Sequence, residues 1–343
     1  MKLSFTQICA VTTGAVEISQ EADGIHFYRF TREQMTFSQP HLQNIAKNRI
    51  ATAGVKLSFR TDSRTLGLQV GFLPGSVRQY YSLDVTVNGE FIGALDNFSH
   101  LEMPKSHAEQ SYELGADSAE FLLGEGIKVV CIHLPWSFCA VLRELTLEDG
   151  ALLEPVIPRK KLLAFGDSIT QGYDAQRPSN RYIAKLAQVL DAQEFNKAIG
   201  GAITFPELML KAEPFVPDYI VVAYGTNDWC CSTIPRFCID YRASLVNLRT
   251  HYPDTPIFAL TPVWRKSADK FCAMGVLLDV EERIREIARE FSNVFVIPCF
   301  YAIPHEEEYF GDLKLHPNDA GFERYFQAVY KSISNHIKDN NDT

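Results

Sequence analysis

The sequence predicts an α/β fold with a doubly wound parallel sheet, preceded by a domain built of β-strands. After Gly150 short apolar runs alternate with longer helical patterns, which is the order that produces a parallel sheet covered by helices. Over residues 24–147 short β-rich runs are separated by turn residues, which is typical of an antiparallel sandwich or jelly roll. We therefore expect a β-sandwich domain over residues 1–154 and an α/β domain over residues 155–343.

The β domain contains seven short runs rich in β-branched, aromatic and leucine residues. These predicted strands cover residues 25–30, 55–60, 66–72, 81–87, 90–95, 128–134 and 144–147. Asn88 and Gly89 separate two of the runs, and both residues tolerate the positive φ of a type I′ turn. This pair predicts a tight hairpin.

The second domain contains five apolar runs that predict strands and four patterns that predict helices. The strands are centred near Leu162, Glu194, Ile220, Ile257 and Val294, and the helices cover residues 180–190, 239–251, 278–291 and 319–337. Asp319 stands at the start of the last helix, where a carboxylate can accept backbone N–H groups, so we expect it to be the N-cap.

Composition excludes several classes of function. The formal net charge of −9 argues against a nucleic-acid partner, and 46% hydrophobic residues are sufficient for large cores. No apolar run reaches the roughly 18 residues of a membrane span. The eight cysteines show no repeated spacing, which favours reduced thiols in a cytoplasmic protein, and no paired Cys or His spacing predicts a metal or another cofactor.

A candidate nucleophile, Ser168, follows the first strand of the α/β domain. The apolar run at residues 162–165 ends in Gly-Asp-Ser, which places Ser168 at the carboxyl end of a buried strand. Ligands of open α/β sheets bind in the crevice beyond these strand ends, so the hydroxyl could act on a substrate there. The alternative is an ordinary Gly-Asp-Ser turn.

Three further segments follow strands or precede a helix, at residues 196–201, 224–228 and 312–318. Together with Gly-Asp-Ser they resemble the four ordered blocks of the SGNH/GDSL hydrolase superfamily. The resemblance implies a flavodoxin-like fold and a serine esterase, in which Ser168 is the nucleophile and His316 the base. It also implies an oxyanion hole formed by the N–H groups of Ser168 and Gly201 and the side-chain amide of Asn227. In the alternative interpretation Gly201 is a plain turn glycine and Asn227 a cap.

The sequence departs from the superfamily at the acid. The usual position, three residues before the histidine, is Leu313, and the nearest carboxylate is Asp312, four residues before His316. Asp312 can orient the imidazole if the loop bulges; otherwise a backbone carbonyl would do so. Thr170 also replaces the second glycine of a G-x-S-x-G elbow, which argues against an α/β-hydrolase.

A β domain before an SGNH domain resembles the arrangement of carbohydrate esterase family 2. That resemblance implies a small-molecule or oligosaccharide ester as the partner, with a sugar O-acetyl group removed by hydrolysis. Trp229, Trp264 and Arg265 are candidate substrate-binding residues, although a tryptophan is more often part of a core. An acyltransferase that uses the same acyl-enzyme, and a glycan-binding protein with a degenerate hydrolase domain, are the alternatives. The sequence does not indicate the oligomeric state.

Overall fold

The computed structural model describes residues 1–39, 42, 45–101, 106–107 and 110–341. Before residue 156 the described strands pair in an antiparallel manner, and from Lys160 onward they pair in parallel. The early strands are β1 (Thr12–Thr13), β2 (Glu17–Glu21), β3 (Gly24–Tyr28), β4 (Lys56–Thr61), β5 (Thr65–Pro74), β6 (Ser82–Val87), β7 (Glu90–Asp96), β8 (Ser118–Leu122), β9 (Lys128–His133), β10 (Phe138–Leu147) and β11 (Glu154–Pro155). Two helices accompany them, α1 (Phe5–Val11) and α2 (Ile45–Ile50).

The antiparallel strands form a two-layer sandwich. One sheet has the order β1-β4-β9-β6-β7 with β11 beside β4, and the other has the order β2-β3-β10-β5-β8. Buried side chains of both sheets, such as Leu57 and Val130 from the first and Leu68 and Leu142 from the second, belong to one apolar cluster. Because each strand alternates its side chains between two faces, one face of each sheet fills the core between the layers.

The predicted hairpin is confirmed. Val87 pairs with Glu90 across the turn, and Asn88 and Gly89 have φ angles of 51° and 87°. Both central residues are therefore in the left-handed region that a type I′ turn requires.

The second half of the chain forms the predicted parallel sheet with helices. Its strands are β12 (Lys160–Gly166), β13 (Ala192–Asn196), β14 (Tyr219–Ala223), β15 (Ile257–Leu260) and β16 (Val294–Ile297). Its helices are α3 (Ser168–Gln171), α4 (Tyr182–Val189), α5 (Asp228–Cys231), α6 (Ile234–His251), α7 (Leu277–Ala288) and α8 (Asp319–Asn341). The strand order is β13-β12-β14-β15-β16. Along β12 Leu162 and Ala164 join one apolar cluster while Leu163 and Phe165 join another, so the sheet is covered on both faces.

The start of α8 differs from the prediction. The side-chain oxygen of Asn318, not of Asp319, accepts the N–H of Gly321 at 3.0 Å and caps the helix. The Asp319 carboxylate instead accepts the N–H of Gln176 and the side-chain amide of Asn180, at 2.9 and 2.8 Å. The Asp319 cap was therefore wrong because a tertiary contact uses that side chain.

The two sheet systems share a continuous interface. Tyr80 and Trp136 of the sandwich belong to the same apolar cluster as Tyr173 and the residues of α4, and the indole N–H of Trp136 donates to the carbonyl of Ala175 at 2.9 Å. No helix in the described ranges is both long and apolar enough to cross a lipid bilayer. All eight cysteines are free thiols.

Candidate active site

Ser168 lies just beyond the carboxyl end of β12, an interior strand of the parallel sheet. β12 ends at Gly166, the carboxylate of Asp167 accepts the N–H of Ile169, and Ser168 begins the one-turn helix α3. β12 has β13 on one side and β14 on the other, so the chain order reverses at this strand. Such a reversal opens a crevice at the carboxyl ends of the strands, which is where ligands of this fold class bind.

Ser168, His316 and Asp312 form a chain of hydrogen bonds. Ser168 Oγ lies 2.8 Å from His316 Nε2, and His316 Nδ1 lies 2.7 Å from Asp312 Oδ2. Because a carboxylate only accepts hydrogen bonds, the proton of the neutral ring sits on Nδ1 and leaves Nε2 free to accept from the serine hydroxyl. This is the tautomer that a general base needs.

The spacing of four residues between Asp312 and His316 is accommodated by a left-handed residue. Leu313 has a φ of 59°, and Asp312 Oδ1 accepts the backbone N–H groups of Lys314, Leu315 and His316 at 2.9, 2.8 and 3.1 Å. Burial raises the pKa of Asp312, but the hydrogen bond and charge of His316 and these N–H groups lower it more, so the net pKa lies well below the ordinary value. The carboxylate is therefore ionised wherever the histidine can act as a base.

The loops that carry Gly201 and Asn227 are held together. The Asn227 amide donates to the carbonyl of Ala202 at 3.0 Å, and the N–H of Thr204 donates to Asp228 Oδ1, also at 3.0 Å. Gly201 has a φ of 81°, which favours glycine at this position. The structure therefore brings both predicted oxyanion-hole loops to the strand ends that carry Ser168.

Side chains from the sandwich support the backbone of this region. The Asn48 amide donates to the carbonyl of Gly200 at 2.8 Å, and Arg29 Nη1 donates to the carbonyl of Ala198 at 3.1 Å. A Cβ built on Gly201 would lie 2.7 Å from Leu42 Cδ2, so an apolar side chain of the first half of the chain borders Gly201.

Sequence reasoning missed Arg78 and Asp174. Arg78 Nε and Nη2 donate to Asp174 Oδ1 and Oδ2 at 2.7 and 3.0 Å, and the same Nη2 lies 3.1 Å from His316 Nδ1. Arg78 precedes β6 of the sandwich and stands 238 positions before His316, so no local pattern connects the two. The only available signal is the Asp174 side chain shortly after the serine helix, and this alone does not distinguish a surface carboxylate from a buried one.

The predicted substrate-binding residues occupy different environments. Trp229 is only 2% exposed, and its indole N–H donates to the carbonyl of Gly275 at 2.8 Å, so it is a core residue without an open face for a sugar. Trp264 is half-buried and stacks on His305 with ring centroids 5.0 Å apart. Arg265 lies over the Trp229 ring and contacts the carbonyl of Thr226 at 3.4 Å, close to Asn227 in sequence.

A metal interpretation of the carboxylates near His316 fits poorly. Asp174, Asp312 and His316 bring potential ligand atoms within 4.8 Å of one another. The Arg78 guanidinium already occupies the position of a cation, since its Nη2 lies 3.0 Å from Asp174 and 3.7 Å from Asp312. We therefore interpret this group as a charge-paired protein network rather than as a metal site.

Comparison with known proteins agrees with this architecture. Residues 164–324 match the model of the GDSL-like Lipase/Acylhydrolase family, and no curated protein has a significantly similar sequence. The chain is similar to the structure of the salicylyl-acyltransferase SsfX3 from a tetracycline biosynthetic pathway, with 22% identity over 94% of this chain and 93% of that chain and a TM-score of 0.78. A protein from Bacteroides ovatus ATCC 8483 described as a GDSL-like lipase is 19% identical over 98% of both chains, with a TM-score of 0.75.

A family two carbohydrate esterase from Clostridium thermocellum, in complex with cellohexaose, is also similar. It shares 15% identity over 95% of this chain and 98% of that chain, with a TM-score of 0.65. At such identities the likeness establishes the fold, which comprises a β domain followed by the α/β domain. The predicted fold class is confirmed.

Proposed function

Because residues 164–324 form a GDSL-like lipase/acylhydrolase domain, we propose that the protein is a serine esterase that removes acetyl or other short acyl groups from O-acylated carbohydrate. The observation that carries the proposal is the uninterrupted hydrogen-bond chain from Ser168 through His316 to Asp312. A serine hydroxyl is a weak nucleophile unless a base accepts its proton, and this geometry supplies the base and the group that orients it.

In the proposed reaction Ser168 Oγ attacks the ester carbonyl while its proton moves to His316 Nε2. The Asp312 carboxylate stabilises the resulting imidazolium, and the N–H groups of Ser168 and Gly201 with the Asn227 amide stabilise the oxyanion. The tetrahedral intermediate collapses, the bond to the alcohol breaks, and His316 returns the proton to the leaving alkoxide. Water then attacks the acyl-enzyme with His316 again as the base, which releases the acid and restores Ser168.

Two features support a short acyl group on a sugar. The Leu42 side chain borders Gly201, so it limits the space beside one proposed oxyanion donor. The esterase structure with cellohexaose shares the two-part fold, and that protein is a carbohydrate esterase.

The proposal is tested with purified protein on aryl acetate, butyrate and octanoate and then on acetylated sugars, with and without a chelator. We expect metal-independent hydrolysis that is fastest with acetate, and Ser168→Ala should lower kcat by at least about 10³-fold. A serine-directed phosphonate should label Ser168. The matched control is Ser244→Ala, because Ser244 is a buried serine of α6 that donates to the carbonyl of Asp240. Labelling of another residue, or full activity of Ser168→Ala, would exclude the mechanism.

A second candidate is acyl transfer from the same acyl-enzyme to an acceptor other than water. It is favoured by the similarity to the salicylyl-acyltransferase SsfX3, which has the highest TM-score of the structures compared above. Product analysis with and without an acceptor sugar separates the two reactions, since a hydrolase releases free acid at the same rate in both.

A further inference from the structure

Arg78 places a charge from the β-sandwich beside the proposed catalytic histidine. It lies between β5 and β6, and it forms a bidentate ion pair with Asp174, which follows the serine helix α3. The Arg78 side chain is 13% exposed and that of Asp174 is fully buried. A bidentate pair in such an environment fixes both side chains, because each has lost most of its water.

We propose that Arg78 is a positioning residue for His316: it neutralises Asp174 and so leaves Asp312 to accept the hydrogen bond from Nδ1–H. This inference rests on the proposed function, since the tautomer of His316 matters only if the ring is the base for Ser168.

The distances show why Asp174 needs a partner. Its Oδ2 lies 3.7 Å from His316 Nδ1, whereas Asp312 Oδ2 lies 2.7 Å from the same atom. With both of its oxygens engaged by Arg78, Asp174 does not compete with Asp312 for the hydrogen bond from Nδ1–H. Without the guanidinium, a buried unpaired carboxylate would attract the Nδ1 proton, and a rotation of the ring toward it would weaken the 2.8 Å contact between Nε2 and Ser168.

The charges around the ring also depend on Arg78. Asp174 and Asp312 with Arg78 sum to one negative charge, which the imidazolium formed during proton transfer would balance. Removal of Arg78 leaves two negative charges, so the resting ring would hold its proton to higher pH. Removal of the Asp174 charge leaves none, and the ring would lose its proton at lower pH. Among the residues that the structure describes, the other groups that face the ring or its partners are Tyr173, whose ring centroid lies 5.3 Å from that of His316, buried Asp167, and Tyr80 and His107, which contact Asp174.

The test compares Arg78→Met, Asp174→Asn and the double variant. The titration midpoint of His316, the pH at which its ring is half protonated, is followed by NMR of the protein labelled with ¹⁵N-histidine. In parallel, kcat/KM for aryl acetate is measured against pH. We expect Arg78→Met to raise the midpoint by about one pH unit or more, Asp174→Asn to lower it, and the double variant to lie near the wild type. The acid limb of kcat/KM should move in the same directions, with KM little changed.

Arg177→Met is the matched control. Arg177 also forms an ion pair across the interface, to Asp96 at 2.6 Å, and its loss should lower the melting temperature without moving the His316 midpoint. If Arg78→Met does not fold, Arg78→Lys keeps the charge but not the bidentate geometry, so it should leave the midpoint near the wild type while kcat falls. Asp174→Asn tests the opposite shift, because it should lower the midpoint of His316.

The titration does not require turnover, so it separates this inference from the proposed function. An inactive wild-type protein would refute the esterase, whereas midpoints that do not move, or that move in the same direction in both single variants, would refute the role of Arg78.

Discussion

Asn227 supplies the proposed oxyanion donor that a substitution can remove without altering a backbone N–H. Its side-chain amide donates a hydrogen bond to the carbonyl of Ala202, and the residue is half-buried at the strand ends. Asn227→Ala should lower kcat by about 10²–10³-fold with little change in KM, because charge on the oxygen develops only in the transition state. Steady-state kinetics on aryl acetate measures both constants.

Because the Asn227 amide also ties two loops together, the melting temperature of each variant is measured beside its kcat, so that a loss of stability is separated from a loss of the oxyanion donor. Asn227→Asp keeps the size and shape of the side chain but lacks the donor, so it should lose activity as well. If either variant has the kcat of the wild type, Asn227 has no part in the reaction.

At the scale of single residues, the sequence allowed the strand-end serine and the loop histidine to be predicted and did not allow Arg78 to be predicted. Ser168 and His316 belong to segments whose chain neighbours define a strand end and a helix start. Arg78 and Asp174 meet through the packing of two domains, and their separation of 96 positions leaves no periodicity to detect. From the sequence, Trp229 could belong either to the core or to a binding surface, and only its burial in the structure identifies it as a core residue.

At the scale of elements, the loop before α8 determines whether the carboxylate can reach the histidine. The Asp312 carboxylate holds the loop by accepting three backbone N–H groups, and it also accepts the hydrogen bond from Nδ1–H of His316. Asp312→Asn should retain much of the loop contact, because its amide oxygen still accepts, but its NH₂ group faces Nδ1 and favours the wrong tautomer. We expect kcat to fall on the order of 10³-fold with a small change in melting temperature.

Asp312→Ala provides the comparison. It removes both contacts, so we expect a similar loss of kcat together with a lower melting temperature. Near wild-type rates in both variants would leave Ser168 and His316 as a dyad without an acid. The left-handed Leu313, which makes the spacing of four possible, could not be predicted because leucine rarely adopts this conformation.

Long, periodic elements were the ones that the sequence predicted well. The five parallel strands and α6, α7 and α8 follow from apolar runs and helical patterns, and the hairpin follows from Asn-Gly chemistry. The prediction missed several elements that are short or carry few apolar residues, as in Glu-Ile-Ser-Gln-Glu of β2; they include β1, β2, β8, β11, α1 and α2. Such segments take their structure from the neighbours with which they pair. Of the ten-residue β10 the prediction covered only residues 144–147.

At the scale of the whole molecule, the interface between the two domains contains buried charges with opposite responses to pH. Burial raises the pKa of Asp84 in β6 to about 6, although Ser82 and Ser179 donate to it and Arg177 lies nearby. A raised carboxyl pKa means that its contribution to folding is present below about pH 4 and is lost as the pH rises through about 6.

Asp84→Asn removes this dependence. We expect the free energy of unfolding of the variant, relative to that of the wild type, to increase by about 2 kcal/mol between pH 4 and pH 7. Denaturant unfolding at a series of pH values measures it. A constant difference over this range would show that Asp84 is ionised in the folded protein throughout.

Asp96 is the internal control for the sign of this pH dependence of stability. Burial raises the pKa of its carboxyl, but the Ser99 and Arg177 hydrogen bonds lower it more, and the net pKa is lowered. Its contribution is therefore lost as the pH falls, so Asp96→Asn should show the opposite trend to Asp84→Asn.

The pairing of Arg78 with Asp174 has a consequence for recombination between related genes. An α/β segment transplanted onto a foreign β domain would carry Ser168, Asn227, Asp312 and His316 unchanged, yet it would lose Arg78, the cation that we propose positions His316. Exchange of whole domains would therefore yield active hybrids only when the incoming sandwich brings a matching cation with it. A buried ion pair, and not merely a linker, therefore joins the two halves of this chain.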